Sequence, residues 1–150
     1  MRIYYLSLSH LLLLLFVGGC VKATHVLDCG SVSPSTVVMI EDCDEPPCII
    51  SRPDNKDVNI TFVAANDATD FETNIKATIG GVEFPWPGPG GCTLLVGDTI
   101  CPLVSGVSYE YRAAMPVLSE YPTVEAVVRW ELMDNLGNLQ VCFLLPVIIT

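Results

Sequence analysis

Apolar and polar residues alternate along most of this chain with a period of two. Val58, Ile60, Phe62 and Ala64 fall on one side of the first long run, with Asn59, Thr61 and Val63 on the other. The alternation recurs at Ile75, Ala77 and Ile79, at Tyr109, Tyr111, Ala113 and Met115, and at Val124, Ala126, Val128, Trp130 and Leu132. Successive strand side chains point to opposite faces, so each run predicts a half-buried antiparallel strand. Residues 139–149 are apolar on nearly both faces, which predicts a strand inside a sheet. Asp134-Asn135-Leu136-Gly137-Asn138 predicts the hairpin turn leading into it. Residues 37–40 and 49–50 are shorter strand candidates, and no stretch sustains a helical period. About seven strands separated by turn signals predict an all-β, two-sheet antiparallel sandwich. One segment breaks the rhythm: Phe84-Pro85-Trp86-Pro87-Gly88-Pro89-Gly90-Gly91. Alternating prolines cannot join a central ladder, so an extended connection or loop is expected there, its aromatics capping one end of the sandwich.

Residues 10–19 read HLLLLLFVGG behind Arg2. A membrane span needs about 20 apolar residues. This shorter run, followed by small residues at Val21 and Ala23, predicts a secretory signal peptide. The expected organisation is a leader over residues 1–23 and one mature domain over 24–150. A cut near Gly19 is the alternative, since Val17-Gly18-Gly19-Cys20 resembles a lipoprotein box. Cleavage after Ala23 removes Cys20 and leaves Cys29, Cys43, Cys48, Cys92, Cys101 and Cys142. An even count in a secreted chain predicts a disulfide framework, although six cysteines allow 15 connectivities. The spacing Cys43-DEPP-Cys48 and Cys92-TLLVGDTI-Cys101, with the other two near the ends, is read most simply as short bridges nested in one long one.

Charge and chemistry narrow the function. Without Arg2 and Lys22, five of the seven basic residues remain against 17 acidic ones, a mature net charge of −12. Nucleic-acid binding is excluded as a main activity, because it needs a basic footprint. Docking on anionic membranes at neutral pH is disfavoured for the same reason. Asn59-Ile60-Thr61 is a glycosylation sequon with Asn59 on the polar side of its strand. The mature chain has one histidine, His25, at an expected frayed start. Nucleophilic catalysis needs an imidazole fixed beside its nucleophile, and the cysteines lack zinc spacing. An enzyme, a metal site and a cofactor are therefore not expected.

The ordered motifs Asp28-Cys29-Gly30-Ser31-Val32, Pro47-Cys48, Val58-Asn59-Ile60-Thr61-Phe62, Phe84-Pro85 through Gly91-Cys92, Cys101-Pro102, Pro116-Val117, Ser119-Glu120-Tyr121-Pro122 and Val127-Val128-Arg129-Trp130 resemble the ML-domain lipid-recognition family. The resemblance covers essentially the whole mature chain and is greatest to the Niemann-Pick type C2 branch, in its arthropod members. It implies an immunoglobulin-like sandwich with an apolar cavity between the sheets, and the bridges Cys29–Cys142, Cys43–Cys48 and Cys92–Cys101. Carried over by position, Phe84, Val117 and Tyr121 line the cavity mouth. The implied function is a secreted or lysosomal, monomeric carrier of a sterol or other apolar lipid. A membrane sterol transporter or a lipid-sensing receptor is the implied partner. The acidic balance and a Cys92–Cys101 loop without lysine differ from members that hand sterol to membranes. They are similar instead to acidic carriers of fatty acids or semiochemicals. A lipid-dependent innate-recognition module is a further branch. An immunoglobulin-type adhesion domain fits badly, because Trp130 lies 12 residues before Cys142 and 29 after Cys101.

Overall fold

The alternating runs pair as strands in the computed structural model of the chain, which describes residues 22–86 and 90–150. The expected leader, Cys20 included, lies outside the described residues apart from Lys22 and Ala23, as do Pro87, Gly88 and Pro89. Nine strands are present among the described residues: β1 (Leu27–Asp28), β2 (Thr36–Ile40), β3 (Cys48–Ile50), β4 (Asp54–Val63), β5 (Phe71–Ile79), β6 (Val82–Trp86), β7 (Ser108–Val117), β8 (Val124–Asp134) and β9 (Leu139–Ile149). The larger sheet runs β1-β9-β8-β5-β6, with β3 also on β9, and the smaller runs β2-β4-β7. All pairings are antiparallel except β3 with β9. β9 has β8 on one edge and β1 and β3 on the other, so it runs inside the sheet.

The inward positions are those that the alternation marks. Val58, Ile60 and Phe62 of β4 and Tyr109, Tyr111, Met115 and Val117 of β7 face Ile75, Val128, Trp130, Phe143 and Leu145 of the larger sheet, all buried. An aromatic row crosses this core, from Tyr109 to Phe62 at 5.8 Å and on through Phe71 and Tyr111 to Trp130, which stacks on Phe143 at 6.1 Å. Offset and edge-on aromatic pairs add to the simple burial of their area.

The hairpin after β8 is built around one carboxylate. Asp134 accepts hydrogen bonds from the backbone of Leu136 and Asn138 and from the side chains of Asn66, Asn138 and Gln140. Gly137, at φ 87°, supplies the left-handed turn residue. A register shift after Leu132 turns Gln140 into the interior, where its oxygen accepts from Ala65 N at 3.0 Å.

Two expectations are corrected. Phe84, Pro85 and Trp86 are not a connecting loop: they belong to β6, paired with Ala77, Lys76 and Ile75. β6 is an edge strand, and proline is tolerated where its missing N–H would face solvent. The segment around Thr24 and His25 is not frayed either. Thr24 is buried, its N–H donates to Val38 O at 2.8 Å and its hydroxyl to Cys43 O at 2.5 Å. His25 remains exposed beyond this anchor, with its imidazole against the Glu45 carboxylate.

Candidate lipid cleft at the open end of the sandwich

Three disulfides are present: Cys29–Cys142, Cys43–Cys48 and Cys92–Cys101. The first ties the segment after β1 to β9 within one sheet, and the other two close connections between consecutive strands. Cys43, bridged to Ile40 at the end of β2, joins the smaller sheet to Cys48 in β3 of the larger one, so one bond ties the two sheets at that edge. Away from that edge the seam is held by side-chain packing, which can yield where a covalent bond cannot.

The seam opens where β5 and β7 end and β8 begins. A cleft of about 450 Å³ lies there. Its wall is Ala77, Ile79, Val124, Ala126 and Ile149 from the inner face of the larger sheet, and its rim is Phe84, Trp86 and Tyr121. Ala77 and Ala126 are short side chains where their neighbours along each strand are large, and this leaves the space. Trp86 meets Tyr121 edge-on at 5.6 Å, so the edge strand and the β7–β8 connection touch across the opening. Phe84 stands half exposed at its lip. A hollow of about 680 Å³ on the outer side of the small sheet is larger, but Lys22, Glu41, Asp42, Asp44 and Asp57 line it beside Met39 and Ile40, so an apolar ligand there would meet charged groups.

Arg52 fixes the rim. Its guanidinium donates to Tyr121 O and to Thr123 Oγ1 at 2.8 Å, and its Nε donates to Thr150 O at 3.2 Å. One planar fork thus ties the loop carrying Tyr121 to the last residue of the chain. The Cys92–Cys101 loop is seated by Gly91, where a β-carbon would fall 1.7 Å from Phe71 O.

Phe84 and Tyr121, expected at the mouth from the resemblance, come together in this cleft. Val117 does not join them. It is 1% exposed, at the end of β7 opposite Asp54, and forms part of the core. Sequence reasoning missed Trp86, Ala77, Ala126 and Arg52. The pairing of Ile75 with both Trp86 and Trp130 brings the two indoles to one level of the sheet, and nothing local in the sequence announces it. Asn59 lies on the outer side of β4, partly buried, with Nδ2 donating to Glu110 Oε1 at 2.8 Å.

The chemistry of the cleft is that of desolvation. Its rim has no acid–base pair and no nucleophile beside an imidazole. Among the described residues the one grouping of metal-type ligands is Asp70, Cys92 and Cys101, and its two sulfurs are already bonded to each other. A two-sheet sandwich with an apolar cleft at one open end is a binding protein for an apolar molecule.

The chain belongs to the ML-domain family, whose model matches residues 23–149. It is 32% identical to the mouse NPC intracellular cholesterol transporter 2, over 97% of this chain and 98% of that protein. It is 36% identical to the Drosophila melanogaster NPC intracellular cholesterol transporter 2 homolog a, over 83% of this chain and 86% of that one. In fold it is similar to the crystal structure of a Niemann-Pick type C2 protein from the Japanese carpenter ant, with a TM-score of 0.74, 24% identity, and coverage of 84% of this chain and 99% of that one.

Proposed function

We propose that this chain is a secreted, non-enzymatic lipid carrier that holds a sterol in the cleft between its sheets. The observation that carries the reading is the apolar cleft itself, at the one end of the seam where small residues meet an aromatic rim. Family membership supports the same class of ligand, since two relatives bear the name of a cholesterol transporter. Phe84, Trp86 and Tyr121 form the entrance, and Val117 joins the wall once the sheets part. Burying about 400 Å² of ligand apolar surface gains about 10 kcal/mol. Loss of ligand freedom takes back at least about 4 kcal/mol. The remainder corresponds to a dissociation constant in the tens of micromolar, which close packing contacts tighten. A membrane sterol transporter or a lipid-sensing receptor is the proposed recipient.

The acidic surface favours a second reading, a soluble carrier of fatty acids or semiochemicals, because a mature charge of −12 repels anionic membranes. Mass spectrometry of lipids extracted from the secreted protein, with titration of a fluorescent sterol into delipidated protein, separates the two. Sterol recovered and bound supports the first reading, and fatty acids alone support the second. Absence of any lipid by both methods overturns the carrier function.

A further inference from the structure

Below the cleft the core changes character. Moving inward along β5, two pleat repeats carry the wall from Ala77 past Ile75 to Thr73, a descent of about 13 Å at roughly 3.3 Å per residue. At that depth Thr73 Oγ1 and Tyr111 OH lie 2.8 Å apart, both buried. Trp130 of β8, 1% exposed and paired with Ile75 of β5, stands edge-on to Tyr111 at 6.5 Å. Its Nε1 is buried and makes no well-formed hydrogen bond among the described residues, although it lies close enough to the Tyr111 hydroxyl to pull that group's pKa down. Most buried donors in folded proteins are satisfied, so an orphaned indole N–H marks a place where an acceptor belongs.

We propose that Thr73, Tyr111 and Trp130 form a polar floor that receives an uncharged oxygen, a hydroxyl or a ketone, on the end of the lipid that enters the cleft first. The inference rests on the carrier reading and adds a ligand class to it: lipids oxygenated at the buried end. The Trp130 N–H donates to the incoming oxygen, and the Thr73 and Tyr111 hydroxyls, each able to donate or accept, complete its shell. Burial pushes the Tyr111 hydroxyl up to about 12, with Thr73 and the Trp130 indole pulling the other way, so it stays a neutral donor. No cation is buried here. A carboxylate would arrive without a countercharge and is excluded from the floor. Between floor and mouth the inward positions include Ala77, Ala113, Ala126 and Met115. Small side chains and an unbranched thioether repack readily as a ligand enters.

The test uses two matched lipid pairs, cholesterol with 26-hydroxycholesterol and hexadecanoic acid with 16-hydroxyhexadecanoic acid. Binding of each radiolabelled lipid is measured on the delipidated mature protein and on Thr73→Val, Tyr111→Phe and Trp130→Phe, with thermal unfolding to establish that each variant is folded. Thr73→Val keeps the side-chain shape and serves if the aromatic variants do not fold. The wild type binds the hydroxylated member of at least one pair as tightly as its parent. The substitutions weaken that member about tenfold, the scale of one or two buried hydrogen bonds, and leave the parent within twofold. Rejection of the hydroxylated members by the wild type overturns the polar floor alone. The same holds for variants that shift both members equally or neither. Failure of both parent lipids to bind removes the carrier reading and this inference together.

Discussion

Filling the cleft from its wall distinguishes a binding space from a well-packed core. Ala126 is 7% exposed and lines the cleft, with Val147 beside it on β9. In Ala126→Phe the new ring points into a space of about 450 Å³. Burying a side chain of this kind gains about 1.5–3 kcal/mol, which offsets the strain of insertion, so the melting temperature should hold or rise. Val117→Trp is the contrasting change, because Val117 is 1% exposed and sits outside the cleft wall. Overpacking there costs about 1–3 kcal/mol, or about 3–15 °C in Tm for a domain of this size. The assay is thermal unfolding of both delipidated variants beside wild type, followed by titration with a fluorescent sterol. Ala126→Phe should retain the wild-type Tm and lose at least tenfold in affinity. A drop in Tm matching that of Val117→Trp would show that the space is not available to a side chain. Sterol affinity within twofold of wild type would show that the cleft is not the site.

Three further predictions concern the frame and its surface. Burial alone would raise the Asp134 carboxyl, but the hydrogen bonds from Asn66, Asn138 and Gln140 outweigh it and hold it at about 2. A depressed carboxylate stabilises the fold above its unfolded pKa, so about 2 kcal/mol is fully present above pH 4 and lost as pH falls through 2. Urea titrations should show this slope in wild type and lose it in Asp134→Asn, and an identical slope in both would assign it elsewhere. The Cys29–Cys142 bond closes a separation of 113 residues. On the chain-entropy model the double serine variant should be about 4–5 kcal/mol less stable, and non-reducing peptide maps should recover this bond with Cys43–Cys48 and Cys92–Cys101. Secreted protein from a eukaryotic host should lose mass on treatment with an N-glycosidase while Asn59→Gln does not, and an unchanged wild-type mass would remove Asn59 as a glycan site.

The period-two alternation placed four of the five long strands and told which side of each is buried, since facing one way along a strand is a local property that needs only one apolar face. Residues 139–149, apolar without alternation, announced the fifth as a strand inside a sheet. The hairpin at residues 134–138 was legible because a left-handed turn position needs glycine. Other features were decided by contacts between residues far apart in the chain. β6 carried no readable alternation because proline interrupts it, and only its place at the sheet edge makes Pro85 acceptable. The parallel pairing of β3 with β9 left no mark in three residues. Phe84 and Tyr121 carried over to the mouth by resemblance, yet Trp86 joins them only because β6 pairs on β5. Val117 alternates like any inward residue, and whether such a residue lines a space or fills one depends on what the opposite sheet presents. Ala77 and Ala126 read as ordinary strand positions in the sequence. They become a cleft only when β5 and β8, paired in the folded sheet, place these short side chains beside each other at the same open end.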